Sequence, residues 1–307
     1  MTNKSKVPDP ETDIKFIDVH CHMPYPKKKN TVPSASKQYT QYFEDGGLYL
    51  ISCSIDWEGL QLTLEFMENH TENYGFTCGW APQTVTYTPK SQYVEESKKW
   101  LDFVRNNPDK FLAIGEIGLD FHHAKTLKKR KRQISELKRI FRETIDLGKP
   151  YIIHVRNPSS RDLDKRNPKH RFNKEDGATK TILEIMEEFD LDPNRVMFHC
   201  FSGPEEYGRS LPEKGFTLSV PSSAYGFKRW RENTRHTPLT SLVTETDSYY
   251  QHPYKRGPYN IPSNVKYSVA AIAYTHNMSQ KRVAERTVRN AINFFDLPIS
   301  SENLKFD

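Results

Sequence analysis

The chain has 307 residues, enough for two domains or one large α/β barrel, and its 36% hydrophobic and 12% aromatic content is that of a rather polar globular protein. Lys and Arg outnumber Asp and Glu by 45 to 39, a net charge of +6 that permits a polyanionic substrate without demanding one. No apolar run approaches the roughly 18 residues of a membrane-spanning helix. The amino terminus has no apolar signal region, and Cys21, Cys53, Cys78 and Cys200 form no CxxC pair, so the expectation is a cytoplasmic protein with free thiols and no membrane partner.

Residues 1–13 are polar with two prolines and read as a flexible tail. The first organised stretch is Phe16-Ile17-Asp18-Val19-His20-Cys21-His22, an apolar run ending in two histidines and stopped by Pro24 and Pro26. Successive side chains of a strand alternate faces, so His20 and His22 are expected on one side. Ser34 to Tyr42 reads as a loop with a helical turn. Strands follow at Leu48–Ile55, Gly75–Trp80, Phe111–Ile117, Tyr151–Val155, Val196–Phe201, Phe216–Val220 and Leu242–Glu245. Between them the spacing of apolar residues predicts helices at Trp57–Asn69, Tyr93–Arg105, Ile134–Leu147, Thr181–Phe189 and Glu205–Glu213. Two more helices, over 263–276 and 280–295, close the chain. Eight strands alternating with helices imply a parallel sheet with right-handed crossovers, and in one chain of this size they predict a single-domain (β/α)8 TIM-type barrel over residues 14–297. No GxGxxG follows the first strand, which weakens a dinucleotide-binding alternative. The polar stretch 157–177 reads as an inserted loop and 298–307 as a tail. Lys125 to Arg132 (KTLKKRKR) is a basic run opening a helix, either a solvated face or a phosphate contact.

In such a barrel the carboxyl ends of the strands converge on one mouth. Read in order, those positions carry His20 and His22, Glu116, His154, His199 and Asp247. Four imidazoles and two carboxylates at one mouth suit Zn²⁺, Mn²⁺ or a similar divalent ion, and six donors are enough for two. Arg156 is expected on the same side as His154, where it can clamp a phosphate. His122, His123, Lys255 and Arg256 lie on loops that reach the mouth, Asp120 is placed to orient a histidine, and Tyr225, Trp230, Tyr249 and Tyr250 offer stacking platforms for unpaired bases. Cys21 and Cys200 alternate away from their neighbouring histidines and read as small core residues.

The stretches FIDVHCH, AIGEIGLDF, YIIHVR, FHCFSG and LVTETD, in this order, resemble the TatD family of metal-dependent hydrolases within the amidohydrolase superfamily, over roughly Phe16 to Phe295. The resemblance implies a (β/α)8 barrel, a two-metal site holding Zn, Mg or Mn, and hydrolysis of DNA phosphodiesters. Carried over, His20 and His22 would hold one metal, Glu116 would bridge, His154 and His199 would complete the second site, and Asp247 would bind the first metal and deprotonate the attacking water. Arg156, His122, Lys255 and Arg256 would face substrate. The family's Gly-x-His-Pro-His-like segment is here Gly79-Trp80-Ala81-Pro82-Gln83, with both histidines replaced. That departure leaves room for an amide or ester hydrolase, such as a D-aminoacyl-tRNA deacylase acting on tRNA, and, more remotely, for a non-catalytic nucleic-acid or partner-binding barrel.

Overall fold

A computed structural model describes residues 7–24, 34–158, 177–203, 205–255 and 259–299. Among them, eight parallel strands form one sheet in the sequential order of the chain: β1 (Phe16–Cys21), β2 (Gly47–Cys53), β3 (Tyr74–Cys78), β4 (Ala113–Asp120), β5 (Tyr151–Arg156), β6 (Val196–Phe198), β7 (Thr217–Pro221) and β8 (Leu242–Glu245). The helices are α1 (Ala35–Glu44), α2 (Trp57–Met67), α3 (Pro82–Tyr87), α4 (Lys90–Asn106), α5 (Leu127–Thr144), α6 (Ala178–Glu188), α7 (Glu205–Glu213), α8 (Lys228–Thr234), α9 (Lys266–His276) and α10 (Gln280–Phe295). This is the expected (β/α)8 barrel, a single domain.

The sheet closes through the end of β8. Thr244 Oγ1 donates to Ile17 O at 2.8 Å, Thr246 N and Oγ1 donate to the two carboxylate oxygens of Asp18, and Asp247 N donates to His20 O at 2.9 Å. Asp18 is fully buried, which pushes its carboxyl well above the usual range although Thr246 and His20 N–H groups bond it. Inside the barrel, Ile17, Val19, Ile51, Ala113, Ile152, Met197 and Val243 pack together, capped at the strand-start end by Ile292, Phe294 and Phe295 of α10. Outward residues of the same strands, such as Phe16, Leu50, Phe76, Ile114, Phe198 and Leu242, pack under the ring of helices.

Two strands change parity along their length. In β1, Ile17 and Val19 face the interior, yet so do His20 and His22, and the β1–β2 register shifts between Asp18 and Cys21. In β4, Ala113 faces in and Ile114 out, then Glu116 faces in and Ile117 out, with a register shift between Ile114 and Ile117. One extra residue re-aims every side chain that follows. Gly115, at φ +147°, occupies the irregular position: a Cβ there would meet Ile152 O at 2.4 Å. In β5, β6 and β8, by contrast, Ile152 and His154, Met197 and His199, and Val243 and Glu245 follow plain two-residue alternation, and Asp247, past the end of β8 at φ +51°, is set at the mouth by the turn there.

Several sequence expectations are corrected. Residues 7–13 are docked: Val7 is buried, Tyr225 Oη donates to Asp9 and Gln280 Nε2 to Asp9 O. β4 runs on to Asp120, so Glu116 lies within it, whereas β6 stops at Phe198 and leaves His199 on the loop. Helix α5 starts at Leu127 because Thr126 caps it, its side chain accepting from Lys129 N. The short helices α3 and α8 lack the periodicity that a sequence reading needs. Residues 1–6, most of the 157–177 stretch and 300–307 lie outside the described residues.

Candidate metal centre

The structure brings His20, His22, Glu116, His154, His199 and Asp247 together at the mouth. Glu116 is central: its Oε2 lies 2.8 Å from His199 Nε2, 3.5 Å from His20 Nε2 and 3.7 Å from His154 Nδ1. His154 Nδ1 and His199 Nε2 face each other at 3.1 Å. On the other side, Asp247 Oδ1 lies 3.2 Å from His22 Nε2 and 3.8 Å from His20 Nε2. The His20 and His199 rings stack with centroids 4.1 Å apart, joining the two halves. All six are buried apart from His154, which is half-buried.

Neighbouring groups set which ring nitrogen is presented. His22 Nδ1 bonds the Cys53 carbonyl at 3.0 Å; a carbonyl only accepts, so Nδ1 carries a proton, and Nε2 is the nitrogen turned inward, where a proton bonds Asp247 or a lone pair meets an ion. His154 Nε2 is 3.3 Å from Asp120 Oδ2, leaving Nδ1 for the centre. That carboxylate also takes His123 Nδ1 at 2.7 Å and Gln83 Nε2 at 2.9 Å. Cys53 supports Glu116 from behind, its sulfur accepting from Glu116 N at 2.9 Å, and burial pushes the thiol pKa well up, so it stays a thiol. Glu245, two residues before Asp247, accepts from Ser219 Oγ at 2.7 Å and stands 3.8 Å from His199 Nδ1.

The charges are strongly coupled. Burial alone would raise Glu116, but His199, His154 and His20 outweigh it and hold the carboxyl well below its usual range. Burial likewise opposes charge on His199 and His154, yet Glu116 lifts His199 well above its usual value, and Asp120 with Glu116 lifts His154 to about 9. Asp247 is lowered despite burial because His22 bonds it. His20 is lowered by burial and by the neighbouring His199. Negative charge at this mouth is thus balanced by imidazolium protons, the places that cations take when they bind.

A divalent ion fits this donor set. Both ring nitrogens of His20 are buried without a hydrogen-bond partner among the described residues, as is His199 Nδ1. Glu116, His154 and His199 converge closely enough to share one ion, and the imidazole–carboxylate chemistry suits Zn²⁺ or Mn²⁺.

The centre opens into a cavity of about 380 Å³ lined also by Gln83, His123, Arg156, Cys200, Arg229, Trp230 and Tyr250. This is a catalytic-face pocket of the kind barrels build from their strand-end loops. The family described as TatD related DNase matches residues 17–296. The chain belongs to this family.

Among its TatD-family relatives is an uncharacterised metal-dependent hydrolase of Methanocaldococcus jannaschii, 27% identical over 92% of this chain and 98% of that one. The human deoxyribonuclease TATDN3 is 29% identical over 64% of each chain. The crystal structure of a TatD homologue from Escherichia coli superposes with a TM-score of 0.71, covering 92% of this chain and 98% of the other, at 22% identity.

Other expected site residues separate. Arg156 is exposed on the cavity wall. His123 lines the cavity, whereas His122 faces an adjoining hollow shared with Arg156, Asn157 and Arg229. Lys255 is exposed, its Nζ 6.0 Å from the Tyr254 ring, and does not line the cavity; Arg256 lies outside the described residues. Trp230 and Tyr250 line the cavity, but Tyr225 and Tyr249 are buried and bonded to Asp9 and Gln38. Cys200 is half-buried on the cavity wall at φ +46°, not in the core, because the turn after β6 breaks the alternation. Glu245 and Arg229 carry no site expectation from sequence, and Gln83, which stands where the family has a histidine, bonds Asp120 at the cavity wall. Glu245 was findable by counting two back from Asp247; Arg229 needed the fold.

Proposed function

We propose that this TatD-family hydrolase is a deoxyribonuclease working with two divalent ions. His20, His22 and Asp247 would hold one, His154 and His199 the other, and Glu116 would lie between them. The supporting observation is the convergence on Glu116 Oε2 of imidazoles from β1, β5 and the loop after β6, with Asp247 closing the far side. Bound there, such ions supply Lewis acidity that lowers the pKa of water and offsets charge on a phosphoryl transition state. Asp247, kept ionised by His22 and set at the cavity wall, can take a proton from the attacking water and pass it toward the leaving oxygen. Asp120 holds His154 in one tautomer and orientation. Arg156 offers a forked donor to a phosphate in the cavity. DNA as substrate is supported by the relatives named deoxyribonucleases and by the guanidinium-lined wall. Four unpaired thiols support a reducing, cytoplasmic location.

The test is hydrolysis of single-stranded DNA with added Mg²⁺, Mn²⁺ or Zn²⁺, using the parent and Asp247→Asn. Metal-dependent cleavage lost in the variant is the expected result; equal rates would overturn the mechanism. Release of an amino acid from charged tRNA without strand cleavage would transfer the site to an ester hydrolase. A protein that holds no divalent metal would be a binding barrel.

A further inference from the structure

We propose that the basic run opening α5 extends the cavity into a track for a single-stranded polynucleotide, with Tyr87 as a stacking platform on the way. This rests on the nuclease reading and adds how a strand longer than the cavity is held.

A continuous series of contacts leads out of the site. His123 lines the cavity and is anchored through Nδ1 to Asp120. Its ring lies edge-on to Tyr87, centroids 6.1 Å apart. Tyr87 ends α3, the helix that brings Gln83 into the cavity at its start, and at 57% exposure it is among the most exposed large aromatics described. Lys129 Nζ sits 4.9 Å from the Tyr87 ring. Lys128 and Lys131 of the same helix are exposed, and no Asp or Glu occurs between Phe121 and Ser135.

The run is not a uniform solvated face. Arg130 is buried, donating to Ala124 O and Phe121 O, and Arg132 donates to Thr88 O while lying over Tyr93. These two arginines brace the loop that carries His123 and the end of α3 that carries Tyr87. Lys128 and Lys131 are exposed, and Lys129 reaches over the Tyr87 ring. A fixed aromatic followed by cations is the arrangement that holds unpaired strands: bases stack whatever their identity, and phosphates meet ammonium groups. Paired bases have no free face for Tyr87, so the occupant is single-stranded.

The experiment separates binding from cleavage. Affinity of the protein for a cleavage-resistant phosphorothioate single strand is measured against salt, beside hydrolysis of an ordinary strand and of bis(p-nitrophenyl) phosphate. In the triple variant Lys128→Gln, Lys129→Gln, Lys131→Gln the slope of log affinity against log salt should flatten by about 2, at roughly 0.7 per lost phosphate contact. Tyr87→Ala should weaken strand binding about fivefold or more. Neither should change hydrolysis of the small diester, which is too short to leave the cavity. Parent-like affinity and slope in both variants overturn the track, as does an equal loss on the small diester. If the parent cuts DNA while the variants bind like it, the track fails and the nuclease reading stands. If the parent leaves DNA uncut while the variants lose binding as stated, the nuclease reading fails and the track stands.

Discussion

The strands that carry the candidate metal ligands fall into two kinds. On β5 and β6 the donor sits two positions beyond an interior apolar residue, so ordinary pleating delivers it, and on β8 the same pleating holds to Glu245 before a turn at φ +51° sets Asp247. On β1 and β4 the same count would point His20, His22 and Glu116 into the helix layer, and a local irregularity turns them inward. The difference separates chemistry from scaffold. Regular strands supply donors that can be exchanged one at a time, while irregular ones tie the donor to backbone geometry that the whole barrel must support.

Substitutions on the two kinds of strand should therefore fail differently. Past the end of β8, Asp247→Asn should keep the thermal midpoint and lower the hydrolytic rate by about 10²–10⁴-fold, as expected for loss of a general base. A parallel fall in midpoint would show that Asp247 is scaffold after all. On the irregular side, Gly115→Ala forces an L side chain to φ +147° against Ile152 O. It should cost about 1–3 kcal/mol of stability, and it should remove metal binding together with activity. Calorimetry with metal analysis decides this, and a stable, metal-loaded variant would remove the proposed role of the irregularity.

Asp120→Asn probes the support behind a regular-strand ligand. It should weaken metal binding by about 10–100-fold while leaving the fold intact, read by competition with a chelator. The pH dependence of the two states should be opposite in sign. In the chelated protein His154 is raised from 6.5 to about 9, so its contribution to stability is fully present below 6.5 and is lost as pH rises through about 9. Metal must displace that proton, so metal affinity should rise over the same window. Denaturation and metal titrations from pH 6 to about 9 test both directions. The smallest effect is expected at Lys255: Lys255→Ala should leave the rate on a small phosphodiester unchanged, because its side chain lies over Tyr254 and outside the cavity lining. A clear loss there would extend the site beyond the described cavity.

The barrel itself was legible because apolar runs and helical periodicity are local signals, and eight of them in alternation admit few topologies. The residues at the run ends were legible for the same reason: His154 and His199 follow from counting along a strand, and Asp247 from its place just after the last apolar run. His20, His22 and Glu116 were legible as residue types in the right order, but their direction was not, since a register irregularity leaves little trace beyond a glycine such as Gly115. The support behind the ligands was also hidden. Asp120 meets His154, Cys53 meets Glu116, and Glu245 faces His199 only because separate strands are brought side by side.

From sequence alone, then, come the barrel, the donor types and the basic character of the run opening α5, all properties of neighbours along the chain. The tertiary structure decided which ring nitrogens face the centre, that residues 7–13 dock on the barrel, and that His123 rather than His122 lines the cavity. It also divided the basic run into bracing arginines and outward lysines. Each of these depends on contacts between residues far apart in the chain, which no local pattern encodes.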